Sequence, residues 1–322
     1  MDDRELLLRL GAGAVSGDAL ARTAGVTRAA VWKRVQALRE AGVEIEAQAG
    51  QGYVLRRAPD LLDAAALRAA LPAAVAADVE ALEVAWTLDS TNSELLRRPP
   101  PAGSAVLLAE RQTAGRGRMG RAWTSPLGAQ VSLSVRRGFD GGLARLGGLS
   151  LVAGVAVAEA LRALGFGQVG LKWPNDLVAG DRKLAGLLVE GGGEHAGPVH
   201  AVVGLGLNVR LPTAAAAAID QPWIDLAQLA GAAALPPRNA IAAAVLAHLL
   251  PALDAFDREG LAPFLPRYAV LDALAGRPLR VLSGAAVIEG EAAGLASDGG
   301  LRVATASGER IFHAGEVSVR AR

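Results

Sequence analysis

The 322-residue chain contains no cysteine, which excludes disulfides and thiolate metal sites and makes a reducing, cytoplasmic setting the simpler expectation. It also lacks charge of one sign: 33 basic residues face 32 acidic ones, for a formal net charge of +1. That balance excludes a chain-wide nucleic-acid coat or membrane binder, so any basic surface must be local. Long apolar runs are missing too. The longest largely apolar stretch, 146–158, falls short of a membrane span, and the opening MDDRELLLRL is acidic and then amphipathic, unlike a secretory signal. A soluble protein with no membrane partner is expected. Lysine is the last scarcity: only Lys33, Lys172 and Lys183 persist among the 33 basic residues. Where lysine survives in an arginine-rich chain, the site can require a compact, flexible ammonium.

At this length several domains are expected, each with its own core, and the text divides at 1–58, 59–273 and 274–322. In the first part Leu6, Leu7 and Leu10 fall at helical spacing, Asp18 opens a short helix ending at Gly25, and Thr27 caps a second helix running to Gly42. VEIEA and YVLR then alternate around a glycine turn, which predicts a winged helix-turn-helix. From Arg22 to Arg39 there are five cations and no acid. Arg22, Thr27, Arg28, Lys33 and Arg34 are the candidate DNA contacts, and the competing reading is a helical module with solvated charges.

Between Pro59 and Leu271 the pattern predicts an α+β fold. An Ala-rich helix capped by Asp60 is followed by strands near 83–88, 105–110, 130–135, 169–173, 184–190 and 201–209. Helices are predicted at 91–98, opened by a Thr91/Glu94 capping box, and at 146–164, 239–256 and 262–271. The last part reads as short alternating strands with Gly and Asp-Gly turns, a small all-β barrel with no obvious catalytic group.

The stretch AGRGRMGRAW contains G-x-G-x-x-G at Gly115, Gly117 and Gly120. A dinucleotide fingerprint needs a helix directly after it, and Ser125-Pro126 followed by the alternating QVSLSV excludes one. The surviving reading is an anion cradle, with glycine N–H groups and the guanidiniums of Arg116, Arg118 and Arg121 aimed at phosphate or carboxylate. Downstream, Lys172 and Lys183 flank Pro174-Asn175-Asp176. That turn is either an ordinary hairpin or half of a site in which amide and carboxylate orient a ribose or hydrated Mg²⁺ and Lys183 meets an anionic oxygen. Ser90, Thr91 and Asn92 form a helix start, Gly204 to Asn208 a glycine-rich strand end, and Trp223 either core or a stacking lid.

Taken together, DSTN at 89–92, ERQTAGRGRMGRAW at 110–123, KWPNDL at 172–177, RKLAGLLVE at 182–190 and GLGLNV at 204–209 resemble the biotin protein ligase family. With the winged helix in front, the chain is similar to its bifunctional bacterial form, biotin operon repressor and ligase. Met119 departs from that pattern, where an arginine is frequent. The resemblance implies a class II synthetase-like centre and an SH3-like barrel at the end. It also implies biotin, ATP and Mg²⁺ as ligands, biotinyl-5′-AMP as intermediate, and a lysine of a biotin carboxyl carrier protein as acceptor. Operator DNA and an adenylate-bound homodimer are the further implied partners. Carried over by position, Ser90, Thr91, Asn92, Gln112, Arg116, Gly117, Arg118 and Lys183 would hold biotin. Gly115, Arg121, Trp123, Asn175, Asp176, Asn208 and Trp223 would hold the nucleotide, with Asp176 toward Mg²⁺ and Lys183, Arg118 and Arg121 as the catalytic cations. Lipoate transfer, ligation without repression, and biotin-sensing repression without ligation are the alternatives.

Overall fold

The computed structural model describes residues 1–140, 142–193, 199–217, 219–283, 286–314 and 317–321. Helix α1 (Asp3–Gly11) turns Leu6, Leu7 and Leu10 inward. Helix α2 (Gly17–Ala24) starts earlier than expected, because Ser16 and not Asp18 is its cap, its hydroxyl accepting from the Ala19 N–H at 3.1 Å. Gly25 ends it at a φ of 65°, a backbone that glycine adopts freely. Helix α3 (Arg28–Glu40) begins as predicted, with the Thr27 hydroxyl accepting from Ala30 N–H at 3.2 Å, and it buries Val31, Val35 and Leu38. Strands β1 (Ile45–Gln48) and β2 (Gly52–Leu55) form the antiparallel wing. These elements share a small core of their own, into which Leu127 from the centre inserts while its N–H donates to the Ala41 carbonyl at 2.8 Å.

The central part opens on α4 (Ala64–Ala70) and α5 (Ala73–Asp78). Asp63, not Asp60, caps α4; the Asp60 carboxylate instead accepts from the Arg238 N–H at 2.8 Å. Strand β3 (Val79–Leu88), helix α6 (Thr91–Arg97) and strand β4 (Ser104–Gln112) make a crossover that leaves β3 and β4 parallel, with Leu88 beside Gln112. Both strands therefore leave the sheet at the same edge. Strand β5 (Gln130–Phe139) follows, then helix α7 (Leu149–Ala163), strands β6 (Gly170–Lys172), β7 (Asp176–Ala179), β8 (Arg182–Gly193) and β9 (Val199–Asn208). The seven-stranded sheet has the order β3-β4-β5-β9-β8-β7-β6, and every pair after β3–β4 is antiparallel. β7, too short to show its own alternation, turns the Pro-Asn-Asp segment into the tip of a hairpin with β6.

Helix α8 (Thr213–Ala216) and helix α9 (Leu226–Ala230) lead to α10 (Arg238–Glu259) and α11 (Phe264–Leu271). By length and composition, 143–163 and α10 are apolar enough to cross a membrane. Here Val152, Val155 and Ala156 of α7 and Ile241, Leu246 and Leu253 of α10 are buried in one core with the sheet. The final strands β10 (Pro278–Ser283), β11 (Ala286–Leu295), β12 (Leu301–Thr305), β13 (Gly308–Phe312) and β14 (Val317–Ala321) form an antiparallel sheet of order β13-β12-β11-β10-β14. β13 and β14 are its two edges, so among the described residues the expected barrel does not close. Leu279, Val281, Val303 and Phe312 extend the central core.

One buried ion pair ties the start of the central part, strands β4 and β5, and helix α10 together. Arg238 Nη2 lies 2.5 Å from Glu110 Oε2, both side chains being essentially without solvent. The same guanidinium donates to the carbonyls of Asp60 and Gln130, and the other Glu110 oxygen accepts from the Leu62 N–H at 2.6 Å. Every charge-bearing atom is thus met, as a buried pair requires.

Candidate functional site

The floor of the site is strand backbone nearly bare of side chains. A Cβ on Gly204 would come 2.2 Å from Asn92 Oδ1, and one on Gly206 would come 2.4 Å from the Trp123 ring, so β9 admits only glycine beneath these two residues. Gly206→Ala pushes the indole off its seat. We expect the rate of the reaction carried at this site to fall about 10²-fold, with the secondary structure intact by circular dichroism.

At one end of this floor α6 begins. Its cap is Ser90, whose hydroxyl accepts from Ser93 N–H at 3.4 Å, so the Thr91/Glu94 box is displaced by one residue. Glu94 instead pairs with Arg97 and Arg98. Thr91 is freed to face the sheet, donating from N–H and hydroxyl to Gln112 Oε1 at 2.8 and 3.2 Å. Asn92, buried to 3% exposure, donates to the Leu188 carbonyl and to Glu190 Oε2, and accepts from the Ser134 hydroxyl at 2.6 Å. Glu190 also holds Arg116, Nη2 to Oε2 at 2.9 Å. Ser134 and Glu190 were not singled out from the sequence; Glu190 joins Asn92 of α6 to Arg116 of the glycine loop, and the Ser134 hydroxyl sits between Thr91 and Asn92.

That loop leaves β4 at Gln112 and folds on itself, with Gly117 N–H donating to the Arg121 carbonyl at 2.7 Å and Trp123 N–H to the Gly115 carbonyl at 2.8 Å. Gly115 allows the latter contact, since a Cβ there would stand 2.6 Å from the Trp123 oxygen. No α-helix follows, as the proline predicted; Arg118–Gly120 is a single 3₁₀ turn in which exposed Met119 takes a φ of 55°. Arg118 reaches across the cleft, donating to Asn175 Oδ1 at 3.1 Å and to the Ala314 carbonyl beyond β13. Burial lowers its pKa, Asp176 opposing and Arg121 adding to the shift, yet a guanidinium's basicity keeps it cationic. Arg121 itself is exposed.

Lys183, at the start of β8, sets its Nζ 2.8 Å from Asp176 Oδ1 and 5.5 Å from the centre of the Trp123 ring. Its backbone pairs with Trp223, with N–H donating to the Pro222 carbonyl and C=O accepting from Ile224 N–H, both at 2.9 Å. Trp223 is half-buried at the wall beside it. Asn175 is braced by its own amide on the Leu187 carbonyl at 2.8 Å. Asn208 differs from expectation. Its amide is spent, donating to the Ile224 carbonyl at 3.1 Å and accepting from Gln130 at 2.8 Å, and Gln130 in turn receives the Trp123 indole N–H at 3.3 Å. It supports the site from below.

Of the candidate DNA contacts, Arg22, Thr27, Arg28 and Lys33 are exposed around the start of α3. Arg34 is not on that face: it pairs with Asp3 at 3.0 Å and donates to the Met1 carbonyl.

Three sequence profiles match in order: "HTH domain" over residues 4–54, "Biotin/lipoate A/B protein ligase family" over 84–208, and "Biotin protein ligase C terminal domain" over 275–320. The bifunctional ligase/repressor BirA of Escherichia coli (strain K12) is 39% identical over 306 residues, covering 95% of this chain and 92% of that protein. The chain belongs to the biotin protein ligase family. Another ligase of that family, the biotin--[acetyl-CoA-carboxylase] ligase of Paracoccus denitrificans, is 34% identical over 239 residues, 71% of this chain and 96% of that one. Among solved structures, the biotin protein ligase from Aquifex aeolicus in complex with biotin and ATP superposes with a TM-score of 0.63 at 27% identity, over 76% of this chain and 99% of that one. The central sheet and its helices are thus the biotin protein ligase fold.

Proposed function

We propose that this protein is a bifunctional biotin protein ligase and repressor, cytoplasmic and organised as domains 1–58, 59–273 and 274–322. It joins biotin to ATP as biotinyl-5′-AMP and passes biotin to a lysine of a biotin carboxyl carrier protein. What carries the reading is one juxtaposition: Lys183, Asp176, Asn175, Arg118 and Trp123 meet over the glycine floor of β9. Ser90, Thr91, Asn92, Gln112, Arg116 and Gly117 border the biotin end. Gly115, Arg121, Trp123, Asn175, Asp176 and Trp223 border the nucleotide end.

In the first step the biotin carboxylate attacks the α-phosphorus of ATP and pyrophosphate leaves. Two anions must meet, and Lys183, Arg118 and Arg121 offset their repulsion as charge builds on the phosphoryl oxygens. Holding the reactants in line contributes on the order of 7–11 kcal/mol. Mg²⁺ arrives with ATP as part of the substrate: no cluster of three metal-binding side chains occurs among the described residues, and Asp176 offers one carboxylate, the usual protein share for a phosphate-borne Mg²⁺. In the second step the carrier amine attacks the acyl carbon and AMP leaves.

The glycine loop excludes water from this hydrolysable anhydride. Arg118→Gly removes both anchors across the cleft. Charged hydrogen bonds contribute about 1.5–3 kcal/mol, so the adenylate off-rate rises roughly 10- to 100-fold; an unchanged off-rate excludes the lid.

Pyrophosphate release on adding biotin and MgATP, with lipoate as control, tests ligation. Release with biotin and MgATP but not with lipoate and MgATP supports it, and equal release with lipoate returns the lipoate-transfer alternative. For repression, exposed Arg22, Arg28 and Lys33 argue for DNA contact. An operator shift that weakens with salt and strengthens with biotin plus ATP, through the adenylate-bound homodimer, is the expected result. Its absence leaves a ligase without repression.

A further inference from the structure

Val31, Val35 and Leu38 anchor α3 in the amino-terminal core and so fix which face looks outward. That outer face carries exposed Arg28, Ala29, Trp32 and Lys33, with half-buried Gln36 one turn on. Trp32 is 53% exposed, a large apolar ring left in solvent on a helix with a well-formed core side. With the Gln36 amide turned so that its oxygen faces the ring, it accepts from Trp32 Nε1 at 3.3 Å and from Arg39 Nη1 at 3.1 Å. The single donor of the indole is then spent within the helix. What Trp32 offers outward is hydrocarbon, held in one orientation.

The surroundings identify the occupant by charge. Arg28, one turn before Trp32, and the adjacent Lys33 are exposed on α3, as is Arg22 in the last turn of α2, while Arg34 and Arg39 turn inward to Asp3 and the Ile45 carbonyl, each at 3.0 Å. The acids near this face are Asp18, 3.8 Å from Arg28, and exposed Glu40 at the far end of α3, two turns on from Trp32. A cationic helix face with small Ala29 and Ala30 near its start fits the major groove of a duplex, where the apolar feature is the C5-methyl group of thymine. We propose that Trp32 is a specificity-determining residue that reads a thymine methyl group in the operator, while Arg28 and Lys33 contact phosphate or base edges beside it. This rests on the DNA-binding reading of residues 1–58.

The test uses the full chain with biotin and ATP. A tight duplex is first selected from a random library, and each thymine of a half-site is then replaced by deoxyuridine. For the unaltered protein, losing the contacted methyl weakens binding about three- to five-fold at one thymine position. Trp32→Ala binds the selected duplex at least about five-fold more weakly and is indifferent to uracil at that position, and Trp32→Phe retains part of the discrimination. The salt slope stays unchanged in both variants, since no cation is removed. Pyrophosphate release and the circular dichroism spectrum of the full chain both stay unchanged, which shows that the catalytic part and the helices of residues 1–58 are folded. A uracil profile identical in Trp32→Ala and the unaltered protein overturns the proposal. So does a shifted monomer–dimer equilibrium with unchanged duplex affinity, which makes the face a contact for a second copy. If the unaltered protein selects no duplex, the DNA-binding reading fails first and Trp32 with it.

Discussion

Lys183→Ala lowers pyrophosphate release from biotin and MgATP by about 10²–10³-fold, the usual effect of deleting a donor aimed at developing charge. The ammonium stands 2.8 Å from Asp176 and over the Trp123 ring, so it is positioned before any substrate arrives. Its alanine replacement removes the cation and leaves Asp176 uncompensated where phosphate oxygens must approach. Because the charge acts on the transition state and also faces the bound carboxylate, kcat falls and kcat/KM for biotin falls by at least as much. Lys183→Arg does not restore the rate: a planar fork cannot replace a point charge at the mouth of β8. Unaltered release by Lys183→Ala would falsify the assignment.

Arg238→Ala destabilises the protein by about 3–5 kcal/mol, the range found when one member of a buried ion pair is removed. Glu110 is left without its partner inside the core, and the carbonyls of Asp60 and Gln130 lose their donors. A denaturation midpoint lowered without a change in slope is the expected observation. Replacing the pair together, Glu110→Gln with Arg238→Met, recovers much of the loss, since the larger part is the stranded charge. An unfolding free energy within about 0.5 kcal/mol of the original for Arg238→Ala, the range of ordinary surface changes, would sink this account. The substitution also reaches the site, because Gln130 carries both Trp123 and Asn208.

Much of this architecture is legible in the sequence because local chemistry decides it. Thr27 caps α3 and Gly25 closes α2 as their residue types require, and Ser125-Pro126 rightly excludes a helix after the glycine loop. The misplaced caps have one cause: Ser90 and Thr91, Ser16 and Asp18, and Asp60 and Asp63 are neighbouring candidates with equal local aptitude, and tertiary contacts choose between them. Thr91 loses the cap because Gln112 and Ser134 engage it from the sheet. Glu190 and Ser134 could not be found from spacing: Ser134 alternates with Ser132 as a polar strand face that reads as solvent-facing, and Glu190 is a lone acid on its strand. Asn208 was readable as a polar residue at a strand end, but not as one already satisfied by Gln130 and Ile224.

The parallel pairing of β3 and β4 has a consequence for how the chain can change length. Because Leu88 and Gln112 exit side by side, both halves of the reacting site hang from one rim of the sheet, and the segment 98–103 that links α6 to β4 lies at the opposite rim. Residues added or lost there lengthen a connection without moving either Asp89-Ser90-Thr91-Asn92 or the glycine loop. The chemistry and the chain's room for growth are assigned to different rims.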